Sequence, residues 1–262
     1  ARMYDSFVLG ITGNENSSMG IHCDKVLKLN IPDFENAPGT RSYAVMVMAL
    51  LLLAIRFGEV RLNYTMDEAE HMRLDVKDQG RQLKLLLPEM NKACIKIAED
   101  WKNFPCFDFV GSGFDYATAW FGRCKVLEAT GRYAMHINSE EWFHLNFFAR
   151  NVAETGTVII GNTTSPGFSR TKELVHYAKQ LGRPVVVITN GSKEDFGEDI
   201  TYVKVPAPVC KLNMPLTHFV PICLLAGYIS EIAGEKYGRG CEGSWAFAKD
   251  GSGVRNSEII LK

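Results

Sequence analysis

The sequence has no excess of charge of either sign. Its 262 residues include 29 Lys and Arg against 30 Asp and Glu. A strongly basic surface is what draws a protein to nucleic acid or to an anionic membrane, so we expect neither as a partner. Because 46% of the residues are hydrophobic, the chain can bury one large core or two smaller ones. The expected partner is a small molecule or another protein.

The sequence also lacks closely spaced cysteine pairs. Its seven cysteines are odd in number and form no C-x2-C pair, so we expect free thiols in a reducing compartment and no metal site. The longest apolar run, residues 45–55, is eleven residues long, whereas about 20 are needed to cross a bilayer. Residues 1–10 lack the pattern of a signal peptide. We therefore expect a cytoplasmic protein without a membrane span.

Two distant segments share the same order of features. Thr12 ends a short apolar strand pattern, and Thr189 ends a second one 177 positions later. Each is followed by another short strand, a loop with proline and an apolar helix. Thr40 and Thr217, again 177 positions apart, are placed to cap these two helices. Two α/β units could match by chance, but three features at one offset favour a duplication.

The second copy has an upstream section that has no counterpart in the first. Strand and helix patterns alternate there, with strands at 107–110 and 157–161 and helices at 115–130, 139–151 and 172–181. Such alternation predicts an α/β fold whose parallel sheet is covered on both faces.

These patterns suggest three parts of the chain. Residues 1–65 form the end of a first repeat, 66–103 form connecting helices, and 104–262 form a second repeat with a C-terminal tail. A complete first repeat would require roughly seventy more residues before Ala1. We therefore expect the sheet of the first repeat to be short of strands.

A glycine pair follows the predicted strand 107–110. Gly111, Ser112 and Gly113 would let backbone amides approach an anion at the start of the next helix. Tyr116 stands where a dinucleotide-binding fingerprint has its third glycine, so we expect no cofactor. The alternative for the glycines is a tight turn between strand and helix.

The strand at 157–161 is followed by the polar loop 162–171, which offers several hydroxyl groups. Open α/β sheets bind ligands at this position, so the loop could hold a phosphate or a sugar. The alternative is a solvated loop in which Ser169 or Thr171 caps the next helix.

Two ionisable residues could carry catalysis. Glu128 lies late in a largely apolar helix, where a partly buried carboxylate could move a proton between carbon atoms. Its alternative role is a surface ion pair with Lys125 or Arg132. His144 lies among aromatic residues and could be either catalytic or simply packed.

The spacing of these residues resembles a known family. The second sugar-isomerase (SIS) domain of glucosamine-6-phosphate synthase and its relatives has the motifs G-x-G-x-x-Y, K-L-K-E and E-L-K-H. The matching residues are Gly111, Gly113, Tyr116, Lys125, Val126, Leu127, Glu128, Glu141 and His144. In the first copy, Ala37, Thr40 and Tyr43 are similar to the family's V-A-x-T-K-S-Y segment.

The resemblance implies tandem flavodoxin-like three-layer SIS domains with parallel sheets, in a homodimer or higher homo-oligomer. It implies that Glu128 moves a proton between C1 and C2 of an open-chain sugar phosphate. His144 matches a histidine that is linked to ring opening and reaches a neighbouring subunit's site. Ala37 and Thr40, together with the glycine segment at 111–113, match substrate-contacting positions.

The chain departs from the family pattern in three places. Arg41 replaces the family's usual lysine, and Arg255 is the candidate substitute for a lysine in the family's C-terminal loop. The S-x-S-G-x-T phosphate loop of a first SIS domain would lie before Ala1.

The resemblance implies an isomerase or a fructosamine deglycase. Its substrate would be a 6-phosphorylated keto-sugar or its amine adduct, converted through an enediol or enamine. The alternative is a non-catalytic, regulatory protein that binds a sugar phosphate.

Overall fold

The chain forms two compact units in a computed structural model. The model describes residues 4–32, 39–197, 199–236, 243–244 and 246–247. One unit comprises Ala1–Leu83 with Pro206–Thr217, and the other comprises Lys84–Val205 with His218–Lys262. We call them the first and the second unit. The division into 1–65, 66–103 and 104–262 stays a prediction.

The first unit contains a small parallel sheet and helices. Strands β1 (Leu9–Thr12) and β2 (Lys25–Lys28) pair in parallel. Helix α1 (Thr40–Val60) follows, and then helix α2 (Met66–Trp101), which begins in this unit. Among the described residues the sheet has two strands, as expected for a sheet that is short of strands.

The N-terminus of α1 differs from the prediction. Gly39 occupies the N-cap position in the left-handed conformation, with φ of 60°, and Thr40 is the first residue of the helix. The predicted capping role of Thr40 is therefore wrong, because a residue with helical geometry cannot provide the extended cap conformation.

Helix α2 is one continuous helix, although its sequence has breaking residues at Gly80 and Pro88. Pro88 has no amide hydrogen to donate to the carbonyl of Lys84, four residues earlier. That missing hydrogen bond falls at the boundary between the two units, between Leu83 and Lys84.

The second unit is built on one parallel sheet of five strands. The strands are β3 (Cys106–Val110), β4 (Tyr133–Ile137), β5 (Thr155–Gly161), β6 (Val185–Thr189) and β7 (Thr201–Lys204). Their order across the sheet is β4-β3-β5-β6-β7. This is the 2-1-3-4-5 order of flavodoxin-like sheets, whose chain direction reverses between the first and third strands. The predicted α/β class with a parallel sheet is confirmed.

Helices cover both faces of this sheet. Helix α3 (Phe114–Thr130) packs on β3, where a Cβ at Gly122 would collide with the ring of Phe109. The other face carries α4 (Ser139–His144) and α5 (Phe168–Gln180), whose Trp142 and Leu174 are fully buried against Val110 and Ile159. Side chains alternate between the two faces along a strand, so β3 contributes to both cores.

The chain ends with α6 (Pro215–His218) and α7 (Val220–Ile232). Thr217 lies inside α6, where its hydroxyl donates to the carbonyl of Met214 at 3.4 Å. Phe219 occupies the N-cap of α7 and no side chain caps that helix. The predicted cap at Thr217 is therefore also wrong.

The sequence patterns missed strand β4 and misjudged two helices. β4 alternates exposed Tyr133 and Met135 with half-buried residues, because it is the outermost strand. α4 ends at His144 rather than near 151, and a short 3₁₀ turn follows at Asn146–Phe148. α5 begins at Phe168, four residues before the predicted start, with Gly167 as its N-cap.

The strand pairs β1–β2 and β6–β7 show matching contacts. The amide of Leu29 donates to the carbonyl of Thr12 at 2.9 Å, and that of Val205 donates to the carbonyl of Thr189 at 3.0 Å. Each threonine hydroxyl also accepts from the amide two residues later. The connection after Thr12 is one residue longer than the connection after Thr189. These matches favour the duplication, which stays a prediction.

Two stretches are long and apolar enough to cross a membrane, namely Thr40–Val60 and Lys211–Ile232. The core helix of a soluble protein passes the same test, and 56% of the second window is buried. The expected absence of a membrane span therefore stays a prediction. The six cysteines in the described residues are free thiols, as expected.

Candidate functional site

The strands of the second unit end together at one edge of the sheet. Because all five are parallel, the segments after β3, β4, β5 and β6 leave from this carboxyl edge. The chain direction reverses between β3 and β5, which opens a crevice of the kind where such sheets bind ligands. The carboxyl edge is therefore the candidate site of this unit.

The glycine pair after β3 has a structural explanation. Gly113 has φ of 62° and ψ of −125°, a conformation that side chains disfavour. A Cβ at Gly111 would collide with the backbone of Asp115. The buried carboxylate of Asp115 also lies in the first turn of α3, where it offsets the positive end that an anion would use. The tight-turn alternative thus accounts for both glycines, and their contact with substrate stays a prediction.

Ser112 connects the segment after β3 to the segment after β4. Its hydroxyl donates to the hydroxyl of Ser139 at 3.0 Å and accepts from the Ser139 amide at 3.1 Å. Asn138 caps α4 by accepting from the amide of Glu141 at 2.8 Å. The start of α4 is therefore fixed at the crevice.

The polar loop after β5 is held by its own side chains. Asn162 accepts from the amide and the hydroxyl of Thr164 at 3.0 and 3.1 Å. Ser165 accepts from the amide of Gly167 at 3.3 Å. Ser169 and Thr171 lie inside α5, so the predicted alternative in which one of them caps the helix is wrong.

The sequence analysis missed Asn190 and Lys204 at this edge. Asn190 follows β6 and accepts from the amide of Thr163 at 3.0 Å, which joins two of the carboxyl-edge loops. The amine of Lys204 donates to the carbonyl of Asn190 at 2.6 Å. The rule that ligands lie at the carboxyl ends of strands could have identified Asn190, since it directly follows an apolar strand.

Glu128 lies far from this crevice. α3 starts at the carboxyl edge, and a rise of 1.5 Å per residue places Glu128 about 21 Å along the helix axis from Phe114. Its side chain is 51% exposed and forms an ion pair with Lys125, as in the surface alternative. The expected position of its carboxylate beside Gly111 and Gly113 is therefore wrong, because a helix of this length carries it to the opposite edge.

His144 lies at the end of α4, on the carboxyl side of the sheet. Its side chain is 65% exposed, and its Nε2 is 3.4 Å from the carboxylate of Glu140. Arg170 on α5 donates to the same carboxylate at 2.8 Å, and its guanidinium lowers the pKa of Glu140. The structure does not bring His144 and Glu128 together within the chain. It leaves His144 open to another molecule.

The remaining predicted site residues are only partly described. Thr40 belongs to the first unit, at the start of α1. Ala37 and Arg255 lie outside the described residues. The described part of the chain contains no cluster of three or more His, Cys, Asp or Glu side chains that could hold a metal ion.

A buried ionisable pair that the sequence did not suggest lies at the start of α3. His218 is fully buried, and its Nδ1 is 3.5 Å from the carboxylate of Asp115. Neither ring nitrogen of His218 makes a hydrogen bond within the described residues. The residues flanking His218 are apolar or small, so the sequence gave no sign of a buried partner.

Comparisons with known proteins agree with this fold. No protein-family model matches the chain. The chain is 24% identical over 229 residues to the isomerizing glutamine–fructose-6-phosphate aminotransferase of Thermus thermophilus. The match covers 86% of this chain and 37% of that enzyme, so the chain spans well under half of its relative.

Solved structures show the same architecture. The C-terminal domain of glucosamine-fructose-6-phosphate aminotransferase from Francisella tularensis superposes with a TM-score of 0.74 at 15% identity, covering 87% of this chain and 64% of that one. Tagatose-6-phosphate ketose/aldose isomerase from Escherichia coli gives 0.65 at 17% identity, covering 86% and 60%. The sequence relatives and the fold together confirm the resemblance of this chain to the sugar-isomerase (SIS) family.

Proposed function

We propose that the protein is an isomerase or a deglycase for a 6-phosphorylated keto-sugar or fructosamine. The similarity over 86% of the chain to an isomerizing aminotransferase carries this proposal. It supports a sugar-phosphate isomerase-type or sugar-phosphate-binding role. The substrate and the reaction follow only from the matched residues.

Glu128 is the proposed acid and base. Its half-exposed carboxylate can reach a bound substrate from outside the helix, and Lys125 beside it restricts its position. In the proposed reaction the carboxylate takes a proton from one of C1 and C2 and returns it to the other, through an enediol or enamine.

His144 is the proposed group for ring opening. Glu140 and Arg170 hold the surface around it, and its exposed ring can enter the site of a neighbouring subunit. This arrangement agrees with a site that is completed by a second chain, since Glu128 and His144 lie apart within one chain.

A matched pair of substitutions tests the role of Glu128. Glu128→Gln keeps the volume and removes the base, so turnover should fall by about 10²–10⁴ while binding changes little. Glu173→Gln is the control, because Glu173 is also a half-exposed glutamate in an ion pair three residues from its partner. Turnover would be followed as aldose–ketose conversion of sugar 6-phosphates and as amine release from fructosamine 6-phosphates.

Full turnover by Glu128→Gln would disprove the proposed mechanism. A second candidate function is a non-catalytic sugar-phosphate sensor, which the Glu128–Lys125 ion pair favours because such a pair suits a surface residue. A sensor would bind the sugar phosphate in calorimetry without converting it. Absence of both binding and turnover would reject both functions.

A further inference from the structure

Helix α3 carries an exposed apolar stripe along one side. Tyr116, Trp120, Arg123 and Leu127 are spaced by four, three and four residues. At 3.6 residues per turn they fall within about 60° of the helix circumference. Tyr116, Trp120 and Leu127 are exposed by 38%, 55% and 40%, respectively. We call these four residues the α3 stripe.

Arg123 is the charged member of the stripe. Within the described parts of the chain no carboxylate pairs with it, and its guanidinium lies 3.4 Å from Nδ1 of His136. The ring of His136 stacks on Trp120, with centroids 5.4 Å apart, and contacts Tyr116 at 5.1 Å. The stripe is therefore a fixed aromatic surface that also presents a cation.

The stripe borders an open sheet edge. β4 is the outermost strand of the sheet, and its exposed Tyr133 and Met135 lie beside this edge. An unpaired strand edge readily binds another chain. Stable interfaces cover about 800 Å² per partner, and an aromatic side chain buries about 150–250 Å². The stripe and the β4 edge together offer aromatic surface of that order.

The α3 stripe is complementary to itself. If two copies of α3 pack antiparallel about a two-fold axis, Trp120 of one copy faces Arg123 of the other, and Tyr116 faces Leu127. A guanidinium over an indole ring is a favourable cation–π contact, and it would supply Arg123 with a partner. Aromatic residues, methionine and arginine are also the residues enriched in protein interfaces.

We propose that the α3 stripe and the β4 edge form a two-fold interface with a second copy of this chain. The proposed partner is identical because one helix supplies both halves of each contact. This interface does not depend on the proposed activity, since it is argued from surface residues alone.

Oligomeric state tests the interface. By sedimentation at 1–100 μM, the protein should have twice its chain mass of 29.3 kDa. Trp120→Glu should shift it to the mass of one chain, with at least a tenfold weaker association. Leu85→Glu is the matched control, because Leu85 is also an exposed helical leucine in the second unit and lies outside the stripe. Far-UV circular dichroism would check that the variants are folded.

Disulfide formation tests the antiparallel direction. Tyr116→Cys mixed with Leu127→Cys should give a cross-linked pair on oxidation, whereas Tyr116→Cys alone should not, because antiparallel packing separates the two copies of residue 116 by about 16 Å. Oxidised wild type controls for the native thiols. Cross-linking of Tyr116→Cys alone, a monomeric wild type, or an unchanged dimer in Trp120→Glu would each overturn the proposal.

Discussion

Replacing Arg183 should strongly destabilise the second unit. Its side chain is fully buried, and it donates to the carboxylate of Asp108 at 2.7 Å and to the hydroxyl of Thr157 at 3.2 Å. The second guanidinium nitrogen donates to the carbonyl of Asn146, and the group lies 5.2 Å from the ring of Trp142. Arg183 thus joins three strands' neighbourhoods and the segment after α4.

The magnitude follows from the charge that would be left behind. Arg183→Met removes the cation but leaves the carboxylate of Asp108 almost fully buried. Breaking a buried pair in this way costs about 3–5 kcal/mol. For a unit of this size each kcal/mol lowers the melting temperature by about 2–4 °C, so a fall of roughly 6–20 °C is expected.

Urea unfolding followed by circular dichroism would measure the change. Lys96→Met is the control, because Lys96 pairs with Asp100 on the surface, where the loss is at most about 1 kcal/mol. The double variant Asp108→Leu with Arg183→Met should recover most of the loss, since an apolar pair leaves no buried charge. A cost below about 1 kcal/mol for Arg183→Met, or a double variant less stable than the single one, would refute this reasoning.

Three further substitutions test other parts of the structure. Gly122→Ala should destabilise by about 1–3 kcal/mol in urea unfolding because its Cβ meets Phe109, whereas Gly227→Ala in the open interior of α7 should be neutral or stabilising. Burial and then Arg123 lower the pKa of His136, so stability should fall as the pH drops below about 6.5. Melting curves of His136→Gln should show a smaller acid loss, and an equal loss would contradict this. Asp75→Ala removes the acceptor of the Val209 and Cys210 amides, at 3.1 and 3.0 Å, so both should exchange hydrogen faster, with unchanged rates as the opposing result.

The sequence predicted the buried strands better than the exposed one. β5 and β6 are buried at every residue, so their continuous apolar runs indicated central parallel strands. β4 is covered on one edge by β3 alone, and its mixed pattern of polar and apolar residues resembled a turn. Strand detection from sequence therefore depended on burial.

The candidate site was predicted less well than the fold. The carboxyl-edge rule located the loops after β3 and β5, since it needs only strand ends. The position of Glu128 depended on where a 17-residue helix ends in space, which the motif spacing does not encode. The Asp115–His218 pair joins residues 103 positions apart, and no local pattern marks such a contact.

The connection between β1 and β2 suggests a place for a label. It is one residue longer than the connection between β6 and β7, yet both strand pairs keep the same pattern of contacts around Thr12 and Thr189. Surface connections that accommodate a change in length usually tolerate insertions. An epitope or a fluorophore attachment sequence placed near Asn16, in this exposed connection, should therefore leave the strands paired and let the protein be tracked without touching the second unit.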